Sequence, residues 1–210
     1  MVKSLQLKRM VDAIDKKFSL DDRIKDAFLA VDRAKFVING FEHISYTLDA
    51  LPMQEEQWIS SPLTVAKMTQ HLEPYGVDSV LEVGCGSGYQ AAILSKLIRR
   101  VFTIERIEPL LREARGRFRN LEMSSIMTKY DDGQRGWKEY APYDRIIFSA
   151  TIDKVPDILF EQLVEGGILI APINQDGLQI ITRYYKRDGR ITSEAIEPCL
   201  FVPVLDGVKR

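Results

Sequence analysis

Val80-Leu81-Glu82-Val83-Gly84-Cys85-Gly86-Ser87-Gly88-Tyr89 is the stretch on which the fold turns. A short apolar run ends in glycines at every second position, and Ala91, Ala92, Ile93 and Leu94 follow directly. Glycine lets the backbone bend sharply and lets a ligand approach with no Cβ in the way. The reading is strand, tight turn, helix. Downstream the pattern repeats. Strands are predicted over 79–83, 101–105, 126–130, 143–149 and 167–172, with helices over 89–97, 108–121 and 155–163 between them. Strands and helices in alternation imply an α/β fold, a doubly wound and mostly parallel sheet with ligands at the carboxyl ends of its strands. Residues 178–185 and 190–204, joined by Arg187-Asp188-Gly189, read as a C-terminal antiparallel hairpin finishing that sheet.

Upstream of the turn, Leu5, Met10, Val11 and Ile14, then Ile24, Ala27, Phe28 and Val31, recur at helical spacing. They predict an N-terminal extension of two helices. Residues 36–61 lack periodicity and carry Asn39-Gly40, Pro52 and Gln54-Glu55-Glu56-Gln57, so an irregular segment is expected there. Loops of that length in compact domains are usually functional. Ser61-Pro62 then opens a helix, serine at the N-cap and proline at the first helical position. The expected organisation is one domain over 1–210, with 1–61 supplying helices and a substrate-side loop and 62–210 the cofactor-binding α/β core.

Composition narrows the chemistry. Two cysteines, Cys85 and Cys199, and two histidines, His43 and His71, cannot make a disulfide framework or a zinc cluster, so no metal is expected. With 29 basic and 30 acidic residues the net charge is −1, which makes no electrostatic case for nucleic acid. No apolar run reaches the roughly 18 residues that would span a bilayer, and the amino terminus does not read as a signal peptide. The expectation is a cytoplasmic protein without a membrane or nucleic-acid partner, working as a monomer.

The glycine spacing sharpens the ligand. A dinucleotide fingerprint needs a third glycine at position 89, which is Tyr89. The G-x-G-x-G spacing instead resembles the first motif of class I S-adenosylmethionine methyltransferases, a Rossmann-like fold. The plainer reading is a bare tight turn. Glu105, at the end of the second strand and about 20 residues from the turn, stands where an acidic side chain accepts both ribose hydroxyls. Asp131-Asp132-Gly133 ends the third strand, where an acidic residue in that class commonly meets the adenine amino group; turn chemistry alone also explains it. The candidate cofactor residues are Glu82, Gly84, Cys85, Gly86, Ser87, Gly88, Glu105, Arg106, Asp132 and Gly133, and the expected cofactor is S-adenosyl-L-methionine, leaving as S-adenosyl-L-homocysteine.

Longer segments narrow the family. Ala27-Phe28 with Arg33 and Phe36-Val37, Leu51-Pro52, Ile59-Ser60-Ser61-Pro62, Gly86-Ser87-Gly88-Tyr89-Gln90-Ala91-Ala92, Ile104-Glu105-Arg106-Ile107, Gly136-Trp137, Ala141-Pro142-Tyr143-Asp144 and Phe201-Val202-Pro203 together resemble protein-L-isoaspartate O-methyltransferases. The resemblance runs over nearly the whole chain. It implies methylation of the α-carboxylate of isoaspartyl residues in damaged proteins and peptides. It also implies Ser60 as the catalytic donor that orients the carboxylate, with Gln57, Ile59, Ser149 and Ala150 on the substrate side. Ser61 is the better placed of the two serines to cap the helix, which leaves Ser60 free.

One segment departs from the family. Its loop pattern resembles Gly-x-Gly-Gln-x-Ile-Ser, whereas this chain reads Glu55-Glu56-Gln57-Trp58-Ile59-Ser60. Two carboxylates beside an anion site would repel the substrate, so both are expected to face solvent. Trp58 reads equally as a shield or as core, and Trp137, Tyr143 and Cys85 as structural. Two alternatives stand beside the isoaspartyl reading: a class I methyltransferase with another acceptor, and a non-catalytic cofactor-binding relative. Ser60 and Gln57 argue against the second.

Overall fold

Apolar strand residues with covered faces on both sides build the sheet. In the computed structural model, which describes residues 2–210, all five residues of β3 (Ser79–Val83) are buried, as a central parallel strand requires. Successive side chains point to opposite faces. Val80, Val101, Ile147 and Ile170 join one buried cluster, and their neighbours Leu81, Phe102, Ile146 and Leu169 join the other. Glu82 is a carboxylate in the middle of this apolar strand, with no exposed surface.

Before the sheet come α1 (Val2–Lys17) and α2 (Asp22–Leu29). The segment between them and α3 (Pro62–His71) holds two 3-10 turns, Arg33–Lys35 and Glu42–Ile44, and a small antiparallel ribbon of β1 (Leu51–Pro52) and β2 (Trp58–Ile59), and is otherwise irregular. Then follow β3, α4 (Tyr89–Leu94), β4 (Arg100–Glu105), α5 (Glu108–Asn120), β5 (Ile126–Tyr130), β6 (Tyr143–Phe148), α6 (Asp157–Glu161), β7 (Leu163–Gln175), β8 (Leu178–Arg187) and β9 (Arg190–Pro198). The seven-stranded sheet has the order β5-β4-β3-β6-β7-β8-β9. It is parallel from β5 to β7 and antiparallel through β8 and β9, as the alternation and the hairpin predict. The chain runs outward from β3 to β5, then returns to place β6 on the other side of β3. That reversal opens a crevice at the carboxyl ends of β3 and β6.

Several boundaries differ from the sequence reading. The helix over 89–97 stops at Leu94, because Leu97 N–H bonds back only to Leu94 and tightens the last turn. The helix over 155–163 shrinks to Asp157–Glu161, since Leu163 already pairs with Tyr143 as the first residue of β7. The hairpin over 190–204 ends at Pro198, which has no N–H to donate. Residues beyond it leave the sheet: Pro203 pairs with Thr151 and Lys209 with Ile107, so the tail crosses the carboxyl ends of the strands. In α1 Leu7 is buried, while Leu5 is half exposed. Among the described residues no helix is long and apolar enough to cross a membrane, and no group of three His, Cys, Asp or Glu side chains could hold a metal ion.

Candidate functional site

The turn after β3 is pinned from outside. The N–H groups of Gly84 and Cys85 both donate to the Ile104 carbonyl of β4, at 2.9 and 3.1 Å. Gly88 has φ +87°, and a Cβ there would lie 2.6 Å from the Phe118 ring of α5. Backbone conformation and helix packing both demand glycine at this position. Gly86 is different: φ is +52°, and an added Cβ would meet only the Met53 methyl, at 3.9 Å. Its backbone faces open space, the cradle a ligand requires.

That space is a cleft whose walls include Gly84, Gly86, Glu105, Arg106, Asp132, Gly133, Ser149, Ala150 and Gln57. Glu105 is buried and accepts hydrogen bonds from Gly86 N–H at 2.8 Å on one oxygen and Ile107 N–H at 2.9 Å on the other. Burial raises its pKa, and the backbone donors oppose that rise. The Arg106 backbone also donates to this carboxylate, whose two oxygens together have four lone pairs, so acceptor capacity remains for a ligand hydroxyl.

Asp132 and Arg106 lie at this cavity but are already engaged. Asp132 accepts from Gln134 N–H at 3.0 Å and from Gly207 N–H at 2.9 Å, which shows the turn chemistry and adds a tie to the tail. Arg106 donates to the Gly207 carbonyl at 2.9 Å. Gly133 is required by packing, since a Cβ would sit 2.6 Å from Val83.

A second cavity adjoins the first, sharing Trp58, Gly84, Gly86 and Ser149, and reaches Ser60, Ile59, Glu82, Cys85 and Ser87. Beneath it, Glu82 accepts from Thr103 Oγ1 at 2.6 Å and Ser149 Oγ at 2.9 Å. Burial pushes its pKa up to about 8, against the lowering effect of the two hydroxyls. Cys85 is buried too, and its thiol is pushed well up by burial and by the neighbouring Glu82 and Glu105. An inert, structural cysteine follows. Ser87 directs its hydroxyl to Tyr89 N–H.

The acceptor side is built from the irregular segment. Ser60 lines the second cavity and a third that opens between Trp58, Ser149, Leu200 and Phe201, and its hydroxyl makes no hydrogen bond to any described residue. Ser61 occupies the N-cap position of α3 without capping it. Its hydroxyl donates to the Leu48 carbonyl at 2.8 Å, so the capping expected of Ser61 is corrected. The reason is tertiary: the 45–49 strand of chain passes closer than the helix amides. The α3 N-terminus, with its partial positive charge, thus has no side-chain cap and begins two residues after Ser60.

The loop carboxylates behave differently from each other. Glu56 faces solvent as expected, but Glu55 is half-buried and pairs with Lys209 of the tail at 2.9 Å. Both adopt left-handed backbone, φ +58° and +56°, the conformation that the family's glycines favour. Gln57 donates its amide to the Glu55 carbonyl at 3.1 Å, while Ile59 is buried opposite Leu51. Trp58 is 54% exposed and lines all three cavities, so the core reading of this residue is corrected. Trp137 and Tyr143 pack around Phe102.

Sequence reasoning gave the tail no role at the site, although Phe201-Val202-Pro203 stands among the family-like segments; Phe201, Val202, Pro203 and Leu205 wall the cavities. It also gave no role to Arg33, whose side chain is fully buried under the Ser60 backbone.

A family model described as protein-L-isoaspartate (D-aspartate) O-methyltransferase matches residues 6–209. The chain belongs to this family. A protein-L-isoaspartate O-methyltransferase from Helicobacter pylori (strain J99) is 53% identical, over 95% of this chain and 96% of that protein. One from Halorhodospira halophila is 43% identical, over 95% and 91% respectively. Among solved structures, a protein-L-isoaspartate O-methyltransferase at 26% identity superposes with a TM-score of 0.89 over 95% of this chain, which spans 66% of that protein's length. A Plasmodium falciparum protein described as a candidate member, solved with S-adenosyl-L-homocysteine, shares the fold with a TM-score of 0.85 at 22% identity, over 94% of this chain and 97% of that one.

Proposed function

We infer that the protein transfers the methyl group of S-adenosylmethionine to the free α-carboxylate of L-isoaspartyl residues in damaged proteins and peptides, the step that begins their repair. The observation that carries this reading is the meeting of a free Ser60 hydroxyl and the glycine cradle on adjoining cavities.

The chain's residues fit the cofactor. Glu105 offers remaining acceptor capacity toward a ribose hydroxyl, Gly86 leaves open backbone, and Asp132 and Gly133 form the rim for an adenine edge. Glu82 sets a carboxylate beneath the end nearest Ser149. When bound, the cofactor supplies a methyl group activated by a sulfonium.

Catalysis then rests on position and charge. A carboxylate with an ordinary pKa near 4 is already ionised at neutral pH, so no general base is needed. Ser60 donates a hydrogen bond to one carboxylate oxygen and leaves the other aimed at the methyl group. The uncapped α3 N-terminus holds the anion, and Gln57, Ile59, Ser149 and Ala150 frame its approach. Two opposite charges disappear as the methyl moves, so a site from which Trp58 and the tail exclude water favours the reaction. All these groups come from one chain, and the monomer is the working unit we propose.

The test supplies labelled S-adenosylmethionine with matched peptides bearing isoaspartate or aspartate. Base-labile label on the isoaspartyl peptide alone is the expected result. Cofactor binding with no transfer to either peptide would sink the reading.

A further inference from the structure

Arg33 is the largest fully buried side chain, and it has no carboxylate partner. No ion pair joins it to any described residue; its contacts are backbone carbonyls. One terminal nitrogen donates to Ser45 O at 2.7 Å and Thr47 O at 3.4 Å, the other to Asp49 O at 3.0 Å and Ser60 O at 3.1 Å. Its Nε is buried with no partner, and the guanidinium lies 5.9 Å from the Tyr89 ring centroid. Tyr89 in turn is the residue after the glycine turn, and its buried hydroxyl is also unpartnered.

A buried cation without a counter-charge is costly, and proteins normally pair it. Carbonyl dipoles compensate in part, as does the Asp49 carboxylate acting through space without an ion pair. Arginine keeps its proton in such a place, although burial lowers its pKa. The result is a permanent positive charge held against the Ser60 carbonyl, at 3.1 Å. The same fork gathers the 45–49 chain and residue 60 into one arrangement, which a single-point ammonium could not do.

We propose that Arg33 is the positioning and specificity-determining residue of the acceptor site. Its fork fixes Ser60, and its charge, which no carboxylate contacts directly, biases the site toward an anionic acceptor bound near the Ser60 peptide. This rests on the carboxylate-methylation reading above. It goes beyond that reading in assigning selectivity to a residue that need not touch the substrate.

The experiment compares an isoaspartyl peptide with the same peptide carrying a neutral amide in place of the free α-carboxylate. Binding of each to the protein saturated with S-adenosylhomocysteine is measured for the natural chain, Arg33→Lys and Arg33→Met, alongside KM and kcat. Arg33→Met keeps an unbranched apolar stem and loses both the charge and the fork. It is expected to cut the preference for the anionic peptide at least tenfold, with KM raised by a similar factor and cofactor affinity within twofold. Arg33→Lys is expected to retain that preference and lose at least tenfold in kcat, because charge survives and the fork does not. A purely structural arginine would weaken both peptides equally, and an unchanged preference in Arg33→Met overturns the proposal. Should Arg33→Met not fold, loss of the preference in Arg33→Lys overturns it, and retention with reduced kcat supports it. Failure of the natural chain to methylate the isoaspartyl peptide would instead refute the underlying reading.

Discussion

On the cofactor side, the chain turns at glycines clamped between β4 and α5, and Glu105 is tied at both oxygens to backbone amides close in sequence or on the next strand. On the acceptor side, Ser60 and its neighbours are irregular, and they are held by side chains from far away: Arg33 onto four carbonyls, Ser61 onto Leu48, Lys209 onto Glu55. The first region resists change because its conformation is built into residue type. The second depends on a few bonds that cross the molecule, and so it is where specificity can be altered without losing the fold.

The clearest way to break the comparison is at the clamp. Gly88→Ala puts a Cβ at φ +87° and against Phe118. It is expected to cost roughly 2–5 kcal/mol in denaturant unfolding, from left-handed backbone plus overpacking, and to abolish cofactor binding. A well-folded variant that binds cofactor normally would show the clamp to be dispensable. On the other side Ser60→Ala leaves folding and cofactor affinity intact while kcat falls on the order of 100-fold, as for loss of one oriented donor. Turnover at the natural rate would remove Ser60 from the mechanism.

Glu82 sits between the two sides and gives them a pH dependence. Its folded pKa of about 8 lies above the ordinary 4.5, so the folded state holds the proton more tightly. The resulting stability is fully present below about pH 4.5 and is lost as pH rises toward 8. Glu82→Gln removes that loss. Measured without cofactor, the variant should gain about 2 kcal/mol on the natural protein between pH 5 and 7, and parallel unfolding curves would contradict the buried, protonated carboxylate.

The smallest effects test the loop. Glu56→Gly relieves a left-handed backbone at a solvent-facing position, and a thermal scan should register a gain of about 0.5 kcal/mol. Lys209→Met breaks a largely exposed pair and should change stability by no more than about 0.5 kcal/mol. Its expected signature is a few-fold faster release of S-adenosylhomocysteine in stopped flow, since the loop and tail wall one cavity.

Legibility followed the same division. The parallel strands, the glycine turn and Glu105 could be read because burial on both faces and a fixed spacing leave their mark within a few residues. Trp58 could not, since an aromatic side chain reads alike in a core and on a rim. The roles of Ser61 and Glu55 were misjudged because their partners, Leu48 and Lys209, are 13 and 154 positions away. Asp132 was named for a ligand while its carboxylate also fastens the tail through Gly207.

By itself the sequence determined the α/β architecture, the turn at Gly84 to Gly88 and the family, because each is written in local periodicity or contiguous motifs. The tertiary structure alone decided that β9 stops at Pro198, that the tail then roofs the cavities, and that a buried Arg33 holds the Ser60 carbonyl. Those features arise from contacts between segments distant along the chain, where hydrogen-bond partners are chosen by proximity in space.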